Sequence, residues 1–455
     1  MKTDTRDTRR PGTILRRQAN TPQPPHVLLR EIAGASPLAP SRYNELVSRW
    51  TASPLLKLLS NSRRTDRDRS AGAFALLCAG AILGTSPLPA QTPPGSFEDL
   101  AARAMAHVDG QPAEAVPLFR KALALRPSWA QGWFYMAGDL YALRRYAEGR
   151  DTFRKGLELE PRNGPAYGFL GLCEYALGDF YQALADIDKG EALGIGSDVE
   201  FEMLVRQRAA LILIRAQAFD EALTQLGPLA KRGVNSPDVT EALGLCALAL
   251  ARQPETLSAR EHAVADLAGK ALYANIARRS AEAEDAFHEL VAMYADDPGV
   301  HYAYGVYLME LDQLAALAEF EKELKGNPTH WSSVLVIAFL RIRNGEPEEA
   351  IQLAQKAMRL QPARSRWIGH TAVGHAYLSM GQPDKAIPEL EIAVRQQPDD
   401  SSLHFYLQKA YSQAGRKEDA QREKAEFVRL KAHEDPLSMT GLAGMAREAA
   451  TGPAR

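Results

Sequence analysis

The stretch GEPEEAIQLAQKAMRLQP, residues 345–362, recurs with changes along a chain of 455 residues. Similar stretches begin at Gly110, Gly178 and Gly381, and each has an alanine five residues after its glycine. Behind the alanine, apolar residues follow at intervals of three and four, which predicts an amphipathic α-helix. The glycine in front favours a turn. The pattern therefore predicts a turn followed by a helix with one apolar face.

Prolines close these stretches at a nearly constant spacing. They are Pro127, Pro161, Pro328, Pro362 and Pro398, with intervals of 34, 34 and 36 residues between the adjacent pairs. A period near 34 that holds two helices is typical of helical-hairpin arrays. A single hairpin cannot bury its apolar face alone, so such a chain is stabilised by stacking of neighbouring units.

The first helix of each unit carries a second pattern. The unit that begins at Gly164 has Tyr167, Leu170, Gly171, Tyr175, Ala183 and Ile187, and the unit that begins at Trp367 has Val373, Gly374, Tyr377, Ala386, Leu390 and Pro398. These residues and their register resemble the tetratricopeptide repeat. The resemblance implies an all-α fold, an α-solenoid of stacked helix-turn-helix hairpins that form a right-handed superhelix.

The number and limits of the units follow from the same register. We expect about nine to ten repeats over residues 96–433, with departures from the pattern in residues 198–300. Small residues such as Gly171 and Ala183 are expected where the helices of a hairpin cross, since larger side chains would push the axes beyond about 8–10 Å. Residues 434–455 have no strong pattern and are expected to form a flexible tail.

Charge is unevenly distributed along the chain. Residues 1–70 contain 14 Lys and Arg against 6 Asp and Glu, which leaves 40 against 50 for residues 71–455 from totals of 54 and 56. The acidic body gives no reason to expect nucleic acid or an anionic membrane as its partner. We therefore expect other proteins or peptides as partners, with the oligomeric state open.

Residues 71–84, AGAFALLCAGAILG, form an uncharged apolar run after a basic flank. As a helix the run would span about 21 Å, which is short of the roughly 30 Å hydrocarbon core of a bilayer. Its size is that of a signal-peptide core, and Ala90 is a small residue suited to cleavage. Residues 61–90 are thus expected to be a signal peptide or a membrane anchor; a buried apolar helix is the remaining alternative.

The position of this run is unusual, because a signal peptide should begin the chain. Residues 1–60 are rich in Pro, Arg and Ser, and are expected to be disordered or to precede the true start of translation, near Val47, Leu56 or Leu58. The expected product is a bacterial exported protein, periplasmic or extracellular. The alternative is a protein anchored in the membrane through residues 71–84.

No motif for catalysis, cofactor binding or metal binding is found in the sequence. Cys173 and Cys246 are expected to be buried free thiols two repeats apart, too distant for a disulfide. His370 and His375, five residues apart on a helix, point about 140° away from each other and make a poor metal pair. In the repeat register His370 is a packing residue, as are His301 and His404. We expect no enzyme activity, no catalytic residue, no metal and no cofactor.

The resemblance also indicates where a partner would bind. In tetratricopeptide arrays one face of the first helices lines a concave groove. The residues at these positions are Phe134, Tyr141, Leu172, Tyr175, Tyr302, Met309, Leu335, Phe339, His375, Phe405 and Lys409. We expect exposed aromatic anchors there for an extended or helical apolar segment of another protein. The alternative is that part of this set is buried between repeats or covered by the tail of the chain.

The function predicted from the sequence is a non-catalytic protein-interaction scaffold that holds a polypeptide segment in this groove. Two other functions stay open. Helical repeats can bind RNA, although the acidic body argues against it, and the chain could be an accessory subunit of an envelope enzyme complex.

Overall fold

The computed structural model describes residues 93–107 and 110–432. Within these ranges the regular secondary structure is entirely helical. The all-α fold expected from the sequence is thus confirmed. The predictions for residues 1–60, 61–90 and 434–455 lie outside the described residues, and the repeat limits stay a prediction. Among the described residues, no helix is both long and apolar enough to cross a bilayer.

Nineteen α-helices are present in the described ranges. In the first half they are α1 (Phe97–His107), α2 (Pro112–Leu125), α3 (Ala130–Ala142), α4 (Tyr146–Leu159), α5 (Gly164–Leu177), α6 (Phe180–Leu193), α7 (Val199–Arg215), α8 (Phe219–Lys231) and α9 (Pro237–Ala247). In the second half they are α10 (Ala259–Ile276), α11 (Ser280–Tyr294), α12 (Val300–Leu308), α13 (Gln313–Gly326), α14 (Trp331–Arg343), α15 (Pro347–Leu360), α16 (Arg366–Ser379), α17 (Pro383–Gln396), α18 (Ser401–Gln413) and α19 (Lys417–Lys431).

Consecutive helices pack as hairpins, from α1 with α2 to α7 with α8, and again from α10 with α11 to α18 with α19. Helix α9 is additional and packs mainly against α10. Each of the five spaced prolines lies two residues after the last residue of a helix. Since proline cannot continue a helix, it fixes where the second helix of a unit ends.

Small residues set the distance between the two helices of a hairpin. A Cβ atom on Gly171 in α5 would lie 2.7 Å from Ile187 Cγ1 and 2.8 Å from the carbonyl oxygen of Ala183 in α6. A Cβ atom on Gly374 in α16 would lie 2.6 Å from Leu390 Cγ in α17. The expected crossing of helices at small residues is therefore confirmed in these two units.

The middle of the chain is tied together by contacts that a regular array lacks. The side chain of Gln253, in the irregular segment between α9 and α10, donates to the Leu211 carbonyl at 3.1 Å. The Trp331 indole donates to the Gln217 side-chain oxygen at 3.0 Å, across 114 residues of sequence. These contacts bring α14 against the turn that follows α7, so helices from different units share one continuous apolar core.

Four turns carry a side chain where other units carry glycine. Gly345 and Gly381 have φ values of 81° and 68° at the turn between their two helices. In other turns this left-handed conformation is adopted by Arg144, Gln217, Ala249 and Arg278, with φ between 49° and 60°. A Cβ atom in this region costs roughly 1–2 kcal/mol, so these turns are strained relative to their glycine counterparts.

We predict that Arg144→Gly stabilises the chain by about 0.5–1 kcal/mol, because glycine removes the steric cost but gains entropy when unfolded. The Arg144 side chain is exposed, so little packing is lost. Chemical denaturation followed by circular dichroism measures the change.

The matched control is Gly381→Ala, where an added Cβ meets nothing within 4 Å. Any loss of stability there comes from the backbone alone, and about 1 kcal/mol is expected. A lower denaturation midpoint for Arg144→Gly would contradict the account of strain at this turn.

Asp139 in α3 is an acid inside the core. Only 1% of its surface is exposed, and its Oδ2 atom has no hydrogen-bond partner in the described part of the chain. Burial raises the pKa of this carboxyl to about 8, because the charged form is poorly solvated there. In the unfolded chain the pKa is about 3.9, so folding requires Asp139 to keep a proton at neutral pH.

We predict that Asp139→Asn becomes more stable relative to the wild type as pH rises. A folded pKa above the unfolded value means that wild-type stability falls with pH between the two values, by about 1.4 kcal/mol per unit. Between pH 5.5 and 7.5 the difference should shift by about 2–3 kcal/mol in favour of the variant. Denaturation curves of both proteins at the two pH values measure it, and equal shifts would show that Asp139 does not titrate in this way.

Candidate polypeptide-binding surface

The structure buries most of the residues expected to line an open groove. Seven of the eleven are at most 8% exposed, so the expectation that they are exposed anchors is wrong; these are Phe134, Tyr141, Leu172, Tyr302, Met309, Leu335 and Phe339. Tyr175, His375 and Phe405 are half-buried, and Lys409 is exposed. Ligand binding by any of these residues stays a prediction.

The physical reason for this burial is packing both within and between hairpins. The Tyr141 ring packs edge-on against Phe169 of the next hairpin, with centroids 5.8 Å apart. The Tyr302 ring lies 5.9 Å from Phe320 and 4.8 Å from His330. The alternative that part of the set is buried between repeats thus holds for Tyr141 and Tyr302.

His375 remains at the edge of the accessible surface near the C-terminal end. Its ring lies 4.7 Å from Tyr406, and burial with the charge of Lys409 lowers its pKa to about 4. The imidazole is therefore neutral at pH 7. The residues of the predicted groove that stay accessible here are His375, Phe405 and Lys409.

The histidines assigned to packing have an additional role that sequence analysis missed. The Nδ1 atoms of His301, His370 and His404 lie 2.6, 2.6 and 2.7 Å from carboxylate oxygens of Glu319, Glu389 and Glu423. Each pair joins the first helix of a hairpin to its second. Burial alone would lower the pKa of His404, but hydrogen bonds to Glu423 and the Pro398 carbonyl outweigh it and raise the pKa. These histidines are thus polar links within the scaffold.

A recess of about 210 Å³ opens between α8, α9, α10, α11 and α12. Two residues of the predicted groove, Tyr302 and Met309, line it. Its other lining residues include the rings Phe219, Phe287 and Tyr307, the apolar side chains Leu223, Leu272, Val306 and Leu311, and the polar residues Asp220, Asn275, Arg278, Ser280 and Glu310. The recess therefore combines aromatic walls with charged groups.

Asp220 of the lining acts on two buried groups of the recess. Burial first, and then the charge of Asp220, raise the pKa of both the Tyr302 hydroxyl and the Cys246 thiol. The Asp220 carboxylate thus disfavours ionisation of two buried side chains that line the recess. Glu310 and Arg278 are exposed residues of the lining.

Sequence analysis missed most of this lining, because α9 and the segment after it do not follow the repeat register. One signal was available. Leu311 and Leu314 lie beside the turn between α12 and α13, and are 65% and 79% exposed. Two leucines in such a place are unusual enough to mark a surface of interest.

Other predicted features can be placed as well. Cys173 and Cys246 are free thiols, as expected, and both are buried. No group of three or more His, Cys, Asp or Glu side chains suited to a metal ion occurs among the described residues.

Comparison with known proteins gives a family match. A family model described as "Tetratricopeptide repeat" matches residues 135–197 and 372–425. The first segment covers the end of α3 through α6, and the second covers α16 through α19 to residue 425. Both contain the units whose residues carry the sequence resemblance.

Solved structures with similar stretches include "MamA AMB-1 P212121", at 20% identity over 37% of this chain and 99% of that chain, with a TM-score of 0.31. The yeast protein Tom70 is 12% identical over 78% of this chain and 81% of that one, with a TM-score of 0.33. The APC/C hetero-tetramer Cut9-Hcn1 is 12% identical over 78% of this chain and 96% of that one, with a TM-score of 0.30. At these scores the likenesses assign no function.

The matched segments lie on hairpins with the period, the crossing glycines and the terminal prolines described above. Proteins with these repeats are generally non-catalytic scaffolds for protein interaction. Residues 135–197 and 372–425 of this chain thus match the tetratricopeptide repeat.

Proposed function

We propose that this protein is a non-catalytic scaffold that binds a segment of another protein, with the recess between α8 and α12 as the main anchor point. The observation that carries the proposal is the recess itself, an aromatic-walled opening beside two exposed leucines. Its volume of about 210 Å³ is below the range of about 300–1,000 Å³ typical of small-molecule pockets. The recess is thus suited to one large side chain from a bound segment.

Leu311, which lines the recess, and Leu314 nearby in the sequence support this proposal. Large apolar side chains that are mostly exposed gain free energy when a partner covers them, roughly 25 cal/mol per Å² of apolar surface. A central pocket with apolar neighbours is the usual arrangement of an interaction hot spot. Tyr175, His375, Phe405 and Lys409 are retained as secondary contacts because they remain partly or fully accessible.

The proposal includes export of the protein. Its support is the apolar run at residues 71–84, with its basic flank and the small residue Ala90. N-terminal sequencing of the protein from its host should give a mature chain that begins at Gln91. A mature chain that retains residues 71–84 would favour a membrane anchor instead.

The binding test uses the full chain and a library of random twelve-residue peptides displayed on phage. We predict that peptides selected on the wild type bind at least about tenfold more weakly to Val306→Trp, in which the new ring fills the recess, and to the double variant Leu311→Ser, Leu314→Ser. Fluorescence anisotropy with labelled peptides measures the affinities.

Leu177→Ser is the matched control, since Leu177 is 41% exposed on α5 and does not line the recess. Circular dichroism of each variant verifies folding. Two results would refute the assignment of this surface: failure to select any peptide, or selected peptides that bind all variants as tightly as the wild type.

A further inference from the structure

We propose that the hairpin of α18 and α19 is a pH-sensitive element, which a protonated His404 holds closed and which opens more readily as pH rises above neutral. The inference does not depend on the recess, because neither helix contributes to its lining. It follows from three features: the acceptors around His404, the contrast with the other linked histidines, and the packing of α19.

The first feature is that both ring nitrogens of His404 face hydrogen-bond acceptors. Nδ1 lies 2.7 Å from a carboxylate oxygen of Glu423, and Nε2 lies 2.9 Å from the Pro398 carbonyl oxygen. A neutral imidazole can donate to only one of these acceptors, whereas the imidazolium donates to both. Because His404 is only 6% exposed, water has little access to the ring. The geometry therefore favours the charged form.

Two carboxylates of α19 add to this preference. Glu423 accepts from Nδ1, and the negative charge of Glu426 also acts on the ring. Burial alone would lower the pKa of His404, but the hydrogen bonds to Glu423 and to the Pro398 carbonyl, together with the two charges, raise it above its usual value. In an unfolded chain the pKa of histidine is about 6.5.

The direction of this shift fixes the pH dependence. Since the folded-state pKa of His404 lies above the unfolded value, its contribution to stability is fully present below about pH 6.5. The contribution is lost as pH rises through the folded-state pKa, because the folded form binds the proton more tightly than the unfolded form does. His404 links α18 to α19, so the loss falls on this hairpin.

Other titratable groups around α18 contact different side chains. The His375 ring of α16 lies 4.7 Å from that of Tyr406, and Glu391 of α17 accepts a hydrogen bond from the Tyr411 hydroxyl at 2.7 Å. Asp400, the N-cap residue of α18, accepts from the backbone and a side chain of the first turn. These contacts join α18 to α16 and α17 or lie within it, whereas the contact of His404 joins α18 to α19.

The second feature is the contrast with two histidines in the same register. His301 and His370 each have a carboxylate oxygen 2.6 Å from Nδ1, and their side chains are 16% and 21% exposed against 8% for His404. One N–H satisfies the Nδ1 contact, so a neutral ring suffices for it. The second acceptor, at Nε2, thus distinguishes His404 from these two.

The third feature is that α19 has little apolar packing to hold it. Ala420 and Leu430 are the two buried residues among its fifteen, so a polar link has more weight here than in a helix with a large buried face. The ring of Phe427 lies 5.6 Å from that of Phe405 on α18. Opening of α19 would therefore expose more of Phe405, one of the accessible residues of the predicted groove.

The experiment follows amide hydrogen exchange of α18 and α19 in the full chain by mass spectrometry. After correction for the intrinsic exchange rate, we expect protection to fall between pH 6 and pH 9, by about tenfold for each pH unit between the unfolded and folded pKa values of His404. A local measurement is needed because burial raises the pKa values of Asp139 and Glu174, in α3 and α5, to about 8.

His404→Gln keeps a side-chain hydrogen-bond donor and removes the charge. We expect protection of α19 in this variant to be below the wild-type value at pH 6 and equal to it at pH 9, so that the fall with pH is lost. His370→Gln is the matched control, because it breaks the corresponding link between α16 and α17. It should leave the pH dependence of α19 as in the wild type.

A second measurement is independent of any variant. Exchange of the histidine C2 proton, followed on the same peptides of the wild type, gives the pKa of His404, which should lie above 6.5. It decides the matter if His404→Gln leaves α19 unprotected at every pH.

Three results would overturn the inference: a pKa of His404 at or below 6.5, protection of α19 that does not change with pH in the wild type, or the same fall with pH in His404→Gln. None of them bears on binding at the recess.

Discussion

The close approach of two helices in each hairpin is the constraint on which the array depends. In α5 and α6 the backbones meet at Gly171 and Ala183, where one added methyl group would lie under 3 Å from a carbonyl oxygen. An equally close approach occurs outside these hairpins, between α9 and α10, where a Cβ on Gly244 would overlap the Ala265 carbonyl. With the axes held this close, the outer faces of each pair are free to stack on the next unit, which buries what a lone hairpin leaves exposed.

The second consequence of close stacking is that a repeat array can cover its own groove. Helix α9 adds one helix between two hairpins, and the irregular segment after it is held to α7 through Gln253. The chain then turns far enough for Trp331 to meet Gln217. Tyr302, Leu335 and Phe339 become part of a core, so the apolar stripe that would line an open superhelix stabilises the fold here instead.

The hairpins could be predicted from the sequence because the residues that specify each hairpin lie within one repeat unit. Glycine, alanine and proline act at fixed positions within one unit, and the resemblance in residues 164–198 and 367–398 leads directly to the observed helices. Burial of the first-helix residues could not be predicted in the same way, because it depends on how hairpins far apart in sequence meet. The links from His301, His370 and His404 to glutamates 18 or 19 residues later are an intermediate case: their regular spacing was visible, but its meaning needed the hairpin geometry.

The recess lies where the repeat pattern fails, and there is a physical reason for this. A regular stack fills the space between hairpins with side chains of complementary size, so it leaves little room for a ligand. After the extra helix α9, the helices α11 and α12 make few contacts with each other, and the recess opens beside them. Carboxylates such as Asp220 can exist at the edge of this space because it is partly solvated. The departure from the repeat thus provides both the cavity and the charge that distinguish this surface from the rest of the array.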